Sequence, residues 1–162
     1  MADIYFSIGS NQGDRSANLN AVCKLLQEKV GALANASAIY ESEPWGYNDE
    51  TPYLNQVLHC TTELSPTELL KECTDIEKSM GRQRSGKPGY EARIMDIDIL
   101  FYDHLEISVP ALNIPHPRLH LRNFVLIPLN EIASDFVHPS FRLTIKDLLY
   151  DCNDKSKVAP LS

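Results

Sequence analysis

Two aspartates one residue apart, Asp96 and Asp98, sit in the run Ile94-Met95-Asp96-Ile97-Asp98-Ile99-Leu100-Phe101-Tyr102. So apolar a run reads as a strand, where side chains alternate between faces. Met95, Ile97, Ile99 and Phe101 then form a wholly apolar face that wants a core. Ile94, Asp96, Asp98, Leu100 and Tyr102 share the other, so the two carboxylates stand side by side. Like charges that close repel, and among apolar neighbours they are poorly solvated. A divalent cation relieves both problems. Hard oxygen ligands suit Mg2+, which commonly takes one or two carboxylates and lets substrate phosphates complete its shell.

The residues just upstream carry the opposite sign. Between Lys78 and Arg93 stand five basic residues (Lys78, Arg82, Arg84, Lys87, Arg93) and one acid, Glu91, a local charge of +4 in a chain of net charge −7. Gly86, Pro88 and Gly89 make this stretch a poor helix or strand and predict a mobile loop. A metal held by carboxylates on one side and guanidinium forks on the other is what holding a polyphosphate requires. Either half alone also fits a solvated basic loop and a strand whose aspartates cap a sheet edge. Their adjacency favours catalysis.

The elements that must position these groups can be read along the chain. Ile4, Phe6 and Ile8 alternate in a first strand ending at Gly9. The turn G-S-N-Q-G-D follows, and no Gly-Lys-Ser/Thr makes it a Walker A loop. Leu19, Val22, Cys23, Leu26 and Val30 recur at helical spacing, with Gly31 as the stop. A second strand is predicted over 37–42. Next comes E-P-W-G-Y-N-D-E-T-P, where Trp45 and Tyr47 either fold back as a lid or face a ligand. The third strand, 53–63, opens with Tyr53 and Asn55 on one face.

Ser65-Pro66-Thr67-Glu68 is a capping box with proline at the first helical position. Leu69, Leu70, Cys73, Ile76 and Met80 form the stripe of the helix it opens, and Gly81 stops it. Glu77 abuts the basic loop, which local charge balance also explains. The Asp96/Asp98 strand follows, then a turn at 103–104 and a short strand near 105–109. Residues 110–122 read as irregular, with His116 fixed between prolines and Arg118, His120 and Arg122 after it. A short helix over 123–132, interrupted or kinked at Pro128, a helical turn near Thr144 and a polar, frayed tail from Asp151 complete the chain.

This order, β-α-β-β-α-β plus C-terminal additions, predicts an α+β, ferredoxin-like antiparallel sheet with helices on one face. The Asp96/Asp98 strand would pair with the first strand, both would be central, and the aspartates would lie in a cleft roofed by loops. At 162 residues the chain reads as one domain, 1–162. Its acidic balance argues against nonspecific nucleic-acid or anionic-membrane binding. Cys23, Cys60, Cys73 and Cys152 lack metal-ligand spacing and read as reduced thiols of a cytoplasmic protein. The N-terminus carries no basic, apolar leader pattern, and no stretch reads as a membrane span.

Seven motifs carry a resemblance that runs the length of the chain. They are I-G-S-N at 8–11, Y-E-S-E-P-W-G at 40–46, Y-L-N at 53–55, I-E-K-S-M-G-R-Q-R at 76–84, R-I-M-D-I-D-I-L at 93–100, P-H-P-R at 115–118 and R-N-F at 122–124. With these the sequence resembles the 6-hydroxymethyl-7,8-dihydropterin pyrophosphokinase family of the folate pathway. The D-I-D-I-L run with its upstream arginine and the P-H-P-R loop are the most specific. The resemblance implies transfer of the terminal diphosphate of ATP to the hydroxymethyl group of the pterin, leaving AMP.

By that resemblance Asp96 and Asp98 hold two Mg2+ ions bridging the ATP phosphates, and Arg82 and Arg93 are the catalytic arginines of a mobile loop. Glu77, Arg84, Lys87, His116, Arg118 and Arg122 fall on the ATP side. Tyr53 and Phe124 sandwich the pterin, Asn55 reads its polar edge, and Ser42, Glu43, Pro44 and Trp45 complete the pocket. Two departures stand out. Where W-G-P-R is common, this chain has Tyr90-Glu91-Ala92-Arg93 in a loop one residue longer, so the aromatic role passes to Tyr90. Trp45 stands where a smaller apolar residue is usual. The resemblance further implies a monomer whose partners are ATP and the dihydropterin. A nucleotide hydrolase or phosphodiesterase would explain 82–98 but leave Tyr53, Asn55 and Phe124 idle. Against a noncatalytic module binding RNA or a small regulator stand the acidic net charge and the lack of an aromatic RNA-binding strand motif.

Overall fold

The computed structural model describes residues 1–43, 51–81 and 94–161. Along them run β1 (Ala2–Ser10), α1 (Arg15–Lys29), β2 (Leu33–Ala36), β3 (Tyr40–Ser42), β4 (Tyr53–Thr62), α2 (Pro66–Ser79) and β5 (Asp96–Tyr102). Then come β6 (Ile107–Val109), β7 (Leu112–Ile114), a 3-10 turn (Leu119–Leu121), α3 (Asn123–Ala133), α4 (Ile145–Asp151) and β8 (Val158–Pro160). The main sheet has the order β5-β1-β4-β3-β8, with β2 beside β3 on the same edge of β4. Every pairing in it is antiparallel.

The helices start where side chains satisfy the orphan N–H groups of a first turn. Asp14 accepts from Ala17 N–H at the start of α1, and Thr144 accepts from Asp147 N–H at the start of α4. At α2 the capping box forms in full: Glu68 N–H donates to Ser65 Oγ and Ser65 N–H to Glu68 Oε1. Gly81, at φ +91, closes that helix in a conformation other residues resist. Gly31 acts differently from a helix stop. A Cβ there would lie 1.8 Å from the Thr61 carbonyl oxygen, so glycine lets α1 end tight against β4.

Two apolar layers flank the sheet. Ile4, Phe6 and Ile8 of β1 turn towards Leu19, Val22 and Leu26 of α1 and Leu69, Cys73 and Ile76 of α2. Each such fully buried side chain contributes about 1.5–3 kcal/mol. On the other face Tyr5, Val57 and Phe101 pack under Val125, Leu126 and Leu129 of α3 and Ile145 and Leu148 of α4. The C-terminal additions are therefore a second helical layer, covering only part of that face.

Several expectations are corrected. Of the strand predicted over 37–42 only 40–42 forms, as β3; β2 precedes it at 33–36, and between the two Ser37 Oγ accepts from Val57 N–H in place of a ladder bond. β5 is an edge strand, since β1 and β4 take the centre; its outer side is partly closed by His116 N–H donating to Leu100 O. A bulge breaks the alternation in β5: Tyr5 pairs with Phe101 but Phe6 with Ile99. Phe101 therefore joins Leu100 in the second layer, while Met95, Ile97 and Ile99 stay in the first. β1 continues through Gly9 to Ser10. The short strand expected near 105–109 forms as β6, and it pairs in a hairpin with β7, which lies inside the region read as irregular and is too short to show a period. Pro128 lies within α3, which runs on uninterrupted, and the tail adds β8 to the sheet.

Candidate active site

The second face of the sheet is roofed by α3 only as far as that helix reaches. Past its N-terminus the cover stops and a cleft opens. Two rows of residues, paired across three strands, make its floor. Asp96, Gly9 and Asn55 are in register in one row, and Asp98, Ser7 and Val57 in the next. Opposed residues in an antiparallel sheet share a face, so both carboxylates, the glycine and the carboxamide point into the same space. Successive same-face positions on a strand lie about 7 Å apart, which sets the spacing of Asp96 and Asp98.

Asn55 is 3% exposed and its Nδ2 donates to Ser42 Oγ, also buried, on neighbouring β3. Gly9 makes room for it: a Cβ at residue 9 would stand 3.0 Å from Asn55 Oδ1 and 3.6 Å from Tyr53 Cδ1. Tyr53, from the sheet, and Phe124, from the first turn of α3, are half-buried aromatic rings lining the cleft with Ser42, Glu43 and Arg122. The guanidinium carbon of Arg122 lies 5.6 Å from the Phe124 ring centroid, a cation–π contact within the wall that the start of α3 makes.

A second cleft lies on the outer side of β5, between α2 and the β7 region, with Glu77, Thr74, Leu112, Asn113 and His116 around it. Asp98 lines both clefts. Glu77 is buried, and one reason is plain: its Oε2 accepts from Ile97 N–H at 3.0 Å, bracing the strand between the aspartates. His116 Nδ1 accepts from Arg118 N–H, leaving Nε2 to face Asp98 Oδ1 at 3.8 Å. Burial, then the nearby Arg122, pushes the ring's pKa down to about 4 against the opposing pull of Asp96. At neutral pH His116 is therefore an uncharged ring, and its approach to Asp98 is not an ion pair.

Of the expected site residues, Ser42, Glu43, Tyr53, Asn55, Asp96, Asp98, Arg122 and Phe124 meet in the first cleft, and Glu77, Asp98 and His116 in the second. Arg118 is exposed and reaches the site through its backbone contact with His116. Pro44, Trp45, Arg82, Arg84, Lys87, Tyr90 and Arg93 lie outside the described residues. Ser7 and Gly9 were not anticipated, because only the register of β1 between β4 and β5 brings them under the cleft. Their place at odd positions of β1, opposite its apolar even ones, was the available signal. Among the described residues no group of three or more His, Cys, Asp or Glu is placed to hold a metal ion. A pair of carboxylates that leaves most of a cation's shell to other oxygens fits a magnesium ion shared with phosphates.

The model of the family described as 7,8-dihydro-6-hydroxymethylpterin-pyrophosphokinase (HPPK) matches residues 5–134. A Porphyromonas gingivalis protein named 2-amino-4-hydroxy-6-hydroxymethyldihydropteridine pyrophosphokinase is 40% identical over 141 residues, 86% of this chain and 95% of that one. The protein of the same name from Aquifex aeolicus is 40% identical over 148 residues, 91% of this chain and 90% of its own. A solved HPPK-DHPS structure in complex with substrates superposes with a TM-score of 0.76 at 15% identity, over 93% of this chain and 45% of that longer one, a likeness of fold alone. Matched by the family model over most of its length and by relatives nearly end to end, this chain belongs to the HPPK family.

Proposed function

We propose that this chain transfers the terminal diphosphate of ATP to the hydroxymethyl group of 6-hydroxymethyl-7,8-dihydropterin, giving AMP and the pterin diphosphate in folate biosynthesis. One observation carries the reading: a cleft walled by two aromatic rings and a carboxamide meets a second cleft at Asp98. Two substrates bound in the two clefts would present their reacting ends at the carboxylates. In the reaction the hydroxymethyl oxygen bonds to the β-phosphorus, the bond from that phosphorus to the α-phosphate oxygen breaks, and the hydroxyl proton is lost.

Tyr53 and Phe124 stack on the flat pterin, and Asn55 reads its donor–acceptor edge. Because Asn55 spends one N–H on Ser42, its orientation is set before substrate arrives, and its other N–H and its carbonyl face the heterocycle. Glu77 and the neutral His116 shape the ATP side, with Arg122, Arg118, Arg84 and Lys87 supplying positive charge to the phosphates. Asp96 and Asp98 would hold Mg2+, two ions by the family pattern; when bound, the metal neutralises phosphate charge. Arg82 and Arg93 act on the transition state, where charge gathers on the departing AMP. Pro44, Trp45, Glu43 and Tyr90 complete the pterin pocket.

We read the sheet order as a ferredoxin-like βαββαβ unit, interrupted in its second strand, and residues 1–162 as one domain working as a cytoplasmic monomer. Among the described residues no helix is long and apolar enough to cross a membrane. The test is to mix ATP, Mg2+ and the dihydropterin with the protein and separate the nucleotides. AMP should form only when the pterin is present. ADP or free phosphate formed without it would replace this reading with a different magnesium enzyme.

A further inference from the structure

The tail read as polar and frayed is bonded to both walls of the first cleft. Helix α3 begins without a side-chain cap of its own, Arg122 in that position making none. The missing partner comes from 31 residues away: Asp154 Oδ2 accepts from Asn123 N–H at 3.1 Å. Asn123 Nδ2 in turn donates to the Ser156 carbonyl oxygen at 2.6 Å. Asp154 Oδ1 is held for this by Ser156 N–H at 3.0 Å and Ser156 Oγ–H at 2.7 Å. Burial alone would raise the Asp154 pKa, but the bonds from Ser156 and Asn123 outweigh it and lower the value, so the carboxylate stays ionised. A carboxylate at a helix N-terminus is further favoured by the backbone dipoles.

Past Ser156 the same segment becomes β8 and pairs with β3, Val158 opposite Ser42, and Leu161 N–H donates to the Ile39 carbonyl. Asn123 stands between Arg122 and Phe124 in sequence, and Ser42 is the residue that orients Asn55. One stretch, residues 154–161, thus grips the helix turn that carries the upper aromatic wall and the strand that fixes the lower carboxamide.

We propose that the segment 154–160 is a clasp setting the gap of the pterin pocket, with Asp154 its positioning residue. It touches no substrate. It fixes how far Phe124 stands from the Tyr53/Asn55 floor, and a planar ligand held between two surfaces is sensitive to that distance. The second cleft, bounded by α2, β5 and β7, lies off the clasp; of the ATP-side residues Arg122 adjoins it while Glu77 and His116 do not, so ATP depends on it less. This inference rests on the pterin assignment of the first cleft.

The experiment measures pterin and ATP dissociation constants by calorimetry, and the thermal midpoint, for the full chain and for Asp154→Ala, Asp154→Asn and Ser156→Ala. A core variant remote from the cleft, Val22→Ala, serves as the stability control. Asp154→Ala should raise the pterin constant by about tenfold, the effect of losing one well-placed charged hydrogen bond. The ATP constant should rise by no more than about threefold. Asp154→Asn, which keeps an acceptor oxygen, should fall between wild type and Asp154→Ala. Val22→Ala should lower the midpoint and leave both constants in place. Ser156→Ala, which keeps the carboxylate, gives the same readout in milder form should Asp154→Ala fail to fold. Unchanged pterin affinity in the folded variants, or equal losses for both ligands, would overturn the clasp while leaving the proposed function standing. A wild-type chain that binds no pterin would overturn the proposed function and the clasp together.

Discussion

Adding one methyl group at Gly9 separates the site from the fold. In Gly9→Ala the new Cβ would stand 3.0 Å from Asn55 Oδ1, 3.5 Å from Leu54 O and 3.6 Å from Tyr53 Cδ1. Only the first contact is too close, so the carboxamide must retreat by a few tenths of an ångström. It has little freedom to do so, being buried and bonded to Ser42 Oγ. Bending that bond, or the one to the ligand, costs about 1 kcal/mol, roughly a fivefold loss of pterin affinity. The fold is pushed the other way. Alanine in extended backbone restricts the unfolded chain and offsets part or all of the contact strain, a gain of about 0.4–1 kcal/mol. Titration calorimetry beside thermal unfolding should therefore show weaker pterin binding at an unchanged or slightly lower midpoint, with ATP binding intact. Full pterin affinity in this variant would refute the placement of Asn55 as the reader of the heterocycle edge.

Asp96→Ala and Asp98→Ala should each abolish diphosphate transfer while leaving circular dichroism and the thermal midpoint near wild type, since both side chains face the cleft; near-normal turnover in either would reassign the metal site. Phe124→Ala should weaken pterin binding by on the order of 1–3 kcal/mol and ATP binding far less, as burying one aromatic face is worth that much; calorimetry finding equal losses would contradict the division of the clefts. His116, with its pKa lowered to about 4, should keep an unprotonated ring in NMR spectra at pH 5.5. Its contribution to stability is then complete above the unfolded value near 6.5 and is lost as pH falls towards 4. A titration midpoint near 6.5 would contradict its burial.

What could be read from the chain in advance was whatever depends on neighbours in sequence. The Ser65/Glu68 capping box, the stripe of α2 and the shared face of Asp96 and Asp98 all follow from local spacing, and the structure keeps each. Features set by distant pairing were hidden. Gly9 looked like the end of a strand because its task is imposed by Asn55 and Asp96 on either side. Phe101 was placed on the wrong face because the bulge opposite Tyr5 and Phe6 shifts the register by one. The break between β2 and β3 depends on Ser37 Oγ replacing a ladder bond to Val57, a trade that composition does not announce. The tail looked frayed because its partners, Asn123 and β3, are 31 and more than a hundred residues away.

The central claim is that two clefts meeting at Asp98 let an intact diphosphate pass from one ligand to the other. Phosphorus NMR of a reaction mixture of ATP, Mg2+ and the dihydropterin follows that passage atom by atom. The account predicts that the β- and γ-phosphorus signals of ATP move together, still coupled to each other, onto the pterin as AMP appears one for one. ADP accumulating beside a pterin that carries a single phosphorus would contradict it.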